Sequence, residues 1–341
     1  MKVKNIIVLW IVASALMYAE NDSSNAIKTE VLQKAEIKTL KKRVRELETE
    51  LESYKKVKPV AGKVPLISKS KIVSKKVNKR KRFVLTDTPP DKLSTYFIAA
   101  YQDIGTVSHK LETYGFTVLA KDEILEGKTV LSVTNEALKE TNSFLSVIHI
   151  LINKDKEIRL QNPSYFAAAY LQKNYIFGDF NETLKSLESV FGDMYQSEDK
   201  VTLSDLSDYN FMLTLPHFED SILVDEGEDI VSKLTREGSD RYISYLLTLP
   251  NGSVLVGHKL SHEIYAYLNK VDAENNAQLF PYEVMIHEDK AVMLAPKYYL
   301  ALSLPLLSMT DFMKIASAPV SIVKEIREAY IEEKEGKGTK E

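Results

Sequence analysis

The chain has 341 residues, 44% of them hydrophobic, and no cysteine. Its length suits about two domains of roughly 100–200 residues, and the missing thiols exclude disulfides, a lipid-anchor cysteine, thiolate-held iron–sulfur clusters and attached c-type haem. The formal net charge of −3 conceals a split, because Lys55–Arg82 holds twelve Lys or Arg and no acid, which leaves −16 on residues 83–341.

Residues 1–19 read as a signal peptide. Lys2 and Lys4 form a positive start, and Ile6–Ala19 is a fourteen-residue run carrying one small hydroxyl, Ser14. That run is shorter than the about 20 residues that span a bilayer and fits a secretory core, with cleavage after Ala19 or near Ala13-Ser14-Ala15. The competing readings are an uncleaved anchor or a buried helix. Export to the periplasm, or otherwise out of the cytoplasm, is the expectation.

Residues 20–57 are expected to form a coiled-coil helix. Ile37, Leu40, Val44, Leu47, Leu51 and Tyr54 are spaced 3, 4, 3, 4, 3, with β-branched residues or Leu at a and Leu or Tyr at d, a pattern that favours a parallel pair. Glu36 with Lys41, Arg43 with Glu48, and Glu50 with Lys55 would then meet across the pair with opposite charges. A homodimer through residues 37–54 follows; a single amphipathic helix packed on the body is the alternative. The clean seam covers two and a half heptads, which is marginal for an isolated coil.

Residues 58–92 read as a flexible basic linker, punctuated by Pro59, Gly62 and Pro65. Its cationic strap, 55–82, suits anionic lipid or an acidic envelope polymer, or folds back on the acidic body. Export and the lack of interleaved aromatics argue against nucleic acid.

The remainder reads as a duplicated α+β body: unit 1 over 93–178, unit 2 with an insertion over 179–330, and a disordered charged tail at 331–341. Residues 152–166 and 286–299 share Ile, Asp-Lys, Leu, Pro and Tyr in order, with one gap near Asn162. Each predicts a strand, a polar turn, a second strand, and a helix opened by proline, its preferred first-turn position. A weaker echo joins Asp103–Gly115 to Asp179–Gly192, each read as a helix begun by Asp and ended by Gly. The stretches Phe211–Pro216 and Tyr245–Pro250 also match and read as strands. Each unit is thus strand–helix followed by strand–turn–strand–helix, and the class is α+β.

On these residues, Leu279–Val292 resembles the "LPxxhxVYEDxGK" hairpin of domain-of-unknown-function family 302, and Gly115-Phe116-Thr117-Val118 resembles that family's early turn. The resemblance covers about residues 94–171 and 240–305 and lacks the family's turn glycine, since Lys290 follows Asp289. It implies a small α+β fold that pairs with itself or a second copy, and no established activity.

Candidate chemistry is sparse. His258 and His262 lie four apart, which on a helix presents both rings to one metal, but no Glu sits between them as a general base. His149, His217 and His287 are single and close to strands, the usual setting of a structural histidine. Gly127-Lys128-Thr129 lacks the earlier glycine of a phosphate loop. Asp225, Glu226, Glu228 and Asp229 surround Gly227 in what reads as an acidic turn. Tyr242, Tyr245, Tyr265, Tyr267, Tyr298 and Tyr299 suit either a groove or the core. No cofactor is expected. The leading reading is a non-enzymatic envelope protein that self-associates and binds a protein partner or a small apolar ligand. The alternative is an enzyme whose site is assembled from distant residues.

Overall fold

The structure is a computed structural model that describes residues 80–154, 156–209 and 216–331. The chain divides into two units, 1–75 and 76–341, and the described residues all fall in the second. The expected signal peptide, the coiled-coil positions, the linker before residue 80, all but the last residue of the strand read at 211–216, and the tail after 331 lie outside the described residues. Among the described residues no helix is long and apolar enough to cross a membrane.

The body is mixed helix and sheet, as its α+β pattern predicts. Its strands are β1 (Lys92–Ser94), β2 (Tyr96–Ala100), β3 (Thr117–Leu125), β4 (Lys128–Thr134), β5 (Ile148–Asn153), β6 (Glu157–Gln161), β7 (Tyr195–Gln196), β8 (Lys200–Thr202), β9 (Ile222–Glu226), β10 (Ile243–Thr248), β11 (Val254–His258), β12 (Tyr282–His287) and β13 (Lys290–Met293). Among the described residues the α-helices of six residues or more are α1 (Ile104–Thr113), α2 (Pro163–Tyr170), α3 (Asn181–Phe191), α4 (Ile230–Thr235), α5 (Pro296–Ser303), α6 (Met309–Lys314) and α7 (Ala318–Glu328).

Two antiparallel sheets carry the duplication. One runs β3-β4-β5-β6-β2-β7 and the other β10-β11-β12-β13-β9. Removing the extra edge strand β7 leaves the same connectivity in both: the opening strand lies beside the last, and a helix leads from it to the far edge. The elements β5, β6 and α2 correspond to β12, β13 and α5. Pro163 and Pro296 both stand at the first turn of their helices, where a missing N–H costs nothing.

Register moves the expected gap. Ile150 pairs with Leu160 in one hairpin and Val284 with Met293 in the other, so the strands and prolines align without interruption. The missing residue belongs to the turn, which joins β5 to β6 across 154–156 but β12 to β13 across Glu288 and Asp289 alone. Glu288 takes a left-handed φ of 53° there, as a tight two-residue hairpin requires.

The second echo has a different structural meaning. Asp103 caps α1, its carboxylate accepting the Thr106 N–H at 2.9 Å, and Gly115 follows with φ 87°. Asp179 caps nothing: Phe180 is the N-cap of α3, without a side-chain bond, and only Gly192 plays its expected ending role. α3 packs on α1, and β7 extends the first sheet beside β2. The topological counterpart of α1 is instead α4. Asp225 and Glu226 likewise complete β9 rather than a loop.

α2 is buried along its whole length and α5 at every residue but Lys297, which explains their alanines and aromatics. The last three carbonyls of α5 have no partner within the helix. The phenols of Tyr209, Tyr165 and Tyr96 donate to Ala301, Leu302 and Ser303 at 3.0, 2.8 and 2.7 Å. Tyr245, Tyr265, Tyr298 and Tyr299 are also buried, so much of the tyrosine content serves the core.

Candidate functional site

Two places gather polar side chains from both halves. The first is a buried seam. Ser132 on β4 pairs in register with His149 on β5, which places both side chains on one face. In the other sheet Tyr245, Gly257 and Glu283 form one row across β10, β11 and β12. Gly257 has no side chain because the Tyr245 ring occupies the space a Cβ would fill. The ring crosses that gap, and its hydroxyl donates to Glu283 Oε1 at 2.6 Å.

The two rows meet where the stretch Glu274–Leu279 lies along β5. His149 Nδ1 is 3.1 Å from the Gln278 carbonyl. A carbonyl only accepts, so Nδ1 carries the proton and Nε2 keeps its lone pair. That lone pair lies 3.7 Å from Glu283 Oε1. Burial raises the Glu283 carboxyl to about 8, against the opposing effect of the Tyr245 bond. Burial lowers His149 to about 4, against the Gln278 contact. At neutral pH the seam therefore holds a protonated glutamate facing a neutral histidine. Ser132 Oγ, His149 Nε2 and both amide atoms of Gln278 are buried without a hydrogen-bond partner among the described residues, an unusual concentration for a protein interior.

The second place is an open cleft of about 1010 Å³. The first half lines it with the turn end of the β3–β4 hairpin, including Glu123, Glu126 and Lys128, and with Lys154 and Lys156 beyond β5; the second contributes His262, Glu274 and Asn275. Asn153 Nδ2 donates to Asn275 Oδ1 at 3.1 Å, and Lys156 Nζ reaches the same oxygen at 3.4 Å. Gly127-Lys128-Thr129 turns between two strands, whereas a phosphate loop leads from a strand into a helix.

The structure does not bring His258 and His262 to a common centre. His258 ends β11, is buried, and stacks on Tyr330 at 5.5 Å. His262 is exposed and opens the short helical turn His262–Tyr265 at the cleft. The strand end separates them, so their four-residue spacing is not the spacing of one helix face. No group of three or more His, Asp or Glu able to hold a metal occurs among the described residues. An apolar void lined by Leu268, Phe280, Leu304 and Ile322 amounts to about 10 Å³, near the minimum for a single water.

Sequence reasoning treated His149 as a lone strand histidine and passed over Glu283. The repeat contained the signal, since both are the second residue of matching strands. It also missed Ser253, whose hydroxyl lies 2.8 Å from His287 Nδ1. Ser253 is buried in the β10–β11 turn, and this contact ties that turn to the end of β12. No known protein family, curated protein or solved structure matches the chain.

Proposed function

We propose that the chain is an exported, non-enzymatic envelope protein. In this reading it self-associates through the heptad seam of residues 37–54, turns its basic strap at 55–82 toward anionic lipid, and holds a protein partner in the cleft between its halves. One contrast supports the reading above others. His149 and Glu283, whose protonation burial displaces, are shut in the seam, while the open cleft presents side chains of both charges, Glu123 and Glu126 with Lys154 and Lys156. A wide, wet, mixed-charge cleft suits a polypeptide segment, and the apolar void is too small for an apolar ligand.

The test is the native mass of the protein purified from its envelope. The reading expects a dimer carrying a stoichiometric polypeptide that is lost from Lys154→Glu/Lys156→Glu and from Glu123→Lys/Glu126→Lys. A bare chain, or one that carries a small molecule untouched by either variant, rejects it. The alternative of an enzyme assembled from distant residues draws on the unpartnered seam atoms. It expects a small ligand to shift the titration of Glu283, followed by the carboxyl infrared band.

A further inference from the structure

The last residues of the basic strap are held. Arg82 forms an antiparallel bridge with Tyr195. The Gln196 N–H donates to the Lys81 carbonyl at 2.8 Å, and the Phe83 N–H donates to the Met194 carbonyl at 2.7 Å. The Phe83 ring packs 4.6 Å from Phe97 on β2. Arg80 pairs with Glu157 at 2.7 Å and Arg82 with Asp193 at 2.6 Å. Residues 81–83 therefore extend the first sheet beyond β7, covering an edge that would otherwise present unpaired backbone groups. The linker expected through residue 92 is fastened from residue 80 onward.

The fastening is weak by construction. Arg82 and Asp193 are both substantially exposed, and exposed ion pairs contribute little; Arg80 is open to water at its end of the other pair, and its partner Glu157, mostly covered, is shared with Arg159 at 3.8 Å. Two ladder bonds and one ring contact complete it. Arg80 and Arg82 are also among the last three of the strap's twelve cations, with Lys81 between them, the kind of cluster that anionic lipid attracts. A guanidinium paired with Glu157 or Asp193 is not available to a lipid phosphate, so docking and membrane binding compete for the same two side chains.

We propose that residues 80–83 are a latch on the β7 edge of the first sheet, which an anionic bilayer opens by taking Arg80 and Arg82. The proposal rests on the strap's reading as a binder of anionic lipid. By reciprocity, whatever loosens the latch tightens membrane binding by the same factor.

The test uses the full mature protein, with vesicles of one part phosphatidylglycerol to two parts phosphatidylcholine, and hydrogen exchange at the Phe83 and Gln196 amides. Both amides are expected to be protected in the free protein and to lose protection together on the anionic vesicles, with no change on pure phosphatidylcholine. Glu157→Gln/Asp193→Asn is expected to bind the anionic vesicles about two- to tenfold more tightly, the range two weak ion pairs allow. Glu136→Gln/Glu182→Gln removes two acids engaged elsewhere and is expected to change binding less. Vesicle binding with both amides still protected overturns the latch and leaves the lipid reading standing. Absence of vesicle sedimentation overturns the lipid reading and the latch with it. Loss of protection on soluble polyphosphate, but not on vesicles, overturns the bilayer as the opener.

Discussion

His149 and Glu283 are the second residues of β5 and β12, matching positions in the two sheets, and they face each other with Nε2 and Oε1 3.7 Å apart. Like residues at such a meeting point would titrate against each other. At neutral pH the pair instead sets a neutral ring beside a protonated carboxyl, so the contact buries no charge, and at 3.7 Å it is too long for a hydrogen bond.

This arrangement fixes how stability depends on pH. Glu283 is raised to about 8 from an ordinary value near 4.5. Its contribution is therefore full below about pH 4.5 and is lost as pH rises toward 8. His149 and His258 are each lowered to about 4 from 6.5, so theirs is full above 6.5 and is lost as pH falls toward 4. The two histidines outweigh the glutamate below 6.5, and the glutamate acts alone above it. Urea midpoints should peak near pH 6.5 and decline on both sides, the unfolding free energy falling on the alkaline limb by up to about 1.4 kcal/mol per pH unit. Glu283→Gln should flatten the alkaline limb and spare the acid one. A wild-type midpoint that climbs from pH 6.5 to 8 would contradict the assignment.

Gly257 should tolerate no side chain. A Cβ there would collide with the Tyr245 ring and push its hydroxyl off Glu283. Gly257→Ala is expected to cost about 1–3 kcal/mol by overpacking. Tyr245→Phe keeps the ring and removes the bond, for about 1–2 kcal/mol. Chemical denaturation of the two variants separates packing from hydrogen bonding.

The phenols at the end of α5 lend themselves to a Phe series. Tyr165→Phe and Tyr209→Phe should each cost about 1 kcal/mol by leaving a carbonyl unpaired. Tyr96→Phe should cost more than Tyr209→Phe, because Tyr96 is fully buried while Tyr209 is partly exposed. Equal losses at the two positions would show that water replaces the phenol at both.

Leu40→Asp/Leu47→Asp would place charge in the proposed coiled-coil seam, which is costly without partners. Sedimentation should turn from dimer to monomer while the thermal transition of the body stays in place. A wild-type monomer at micromolar concentration rejects the seam.

The fold was legible where local chemistry and the repeat agreed. The polar turns and the prolines at Pro163 and Pro296 announced matching hairpins and helices. The echo of Asp179–Gly192 with Asp103–Gly115 misled, although Gly192 does end its helix, because an acid and a glycine bracket many helices and their spacing says nothing about which sheet a helix covers. His149 and Glu283 were visible as residues, but their meeting was not: it depends on a contact between strands more than a hundred residues apart, and nothing in either local segment encodes it. The hold on Arg80 and Arg82 was hidden for a related reason, since its carboxylates come from Glu157 and Asp193.

The three phenols that finish α5 set an order of events during synthesis. Tyr96, Tyr165 and Tyr209 leave the ribosome well before Ala301, Leu302 and Ser303, so the first half emerges with its hydroxyls waiting for acceptors that do not yet exist. Neither half is complete until the other arrives. A chain truncated before residue 296 should be recognised as unfinished by proteases, even though every strand of its first sheet has already been made.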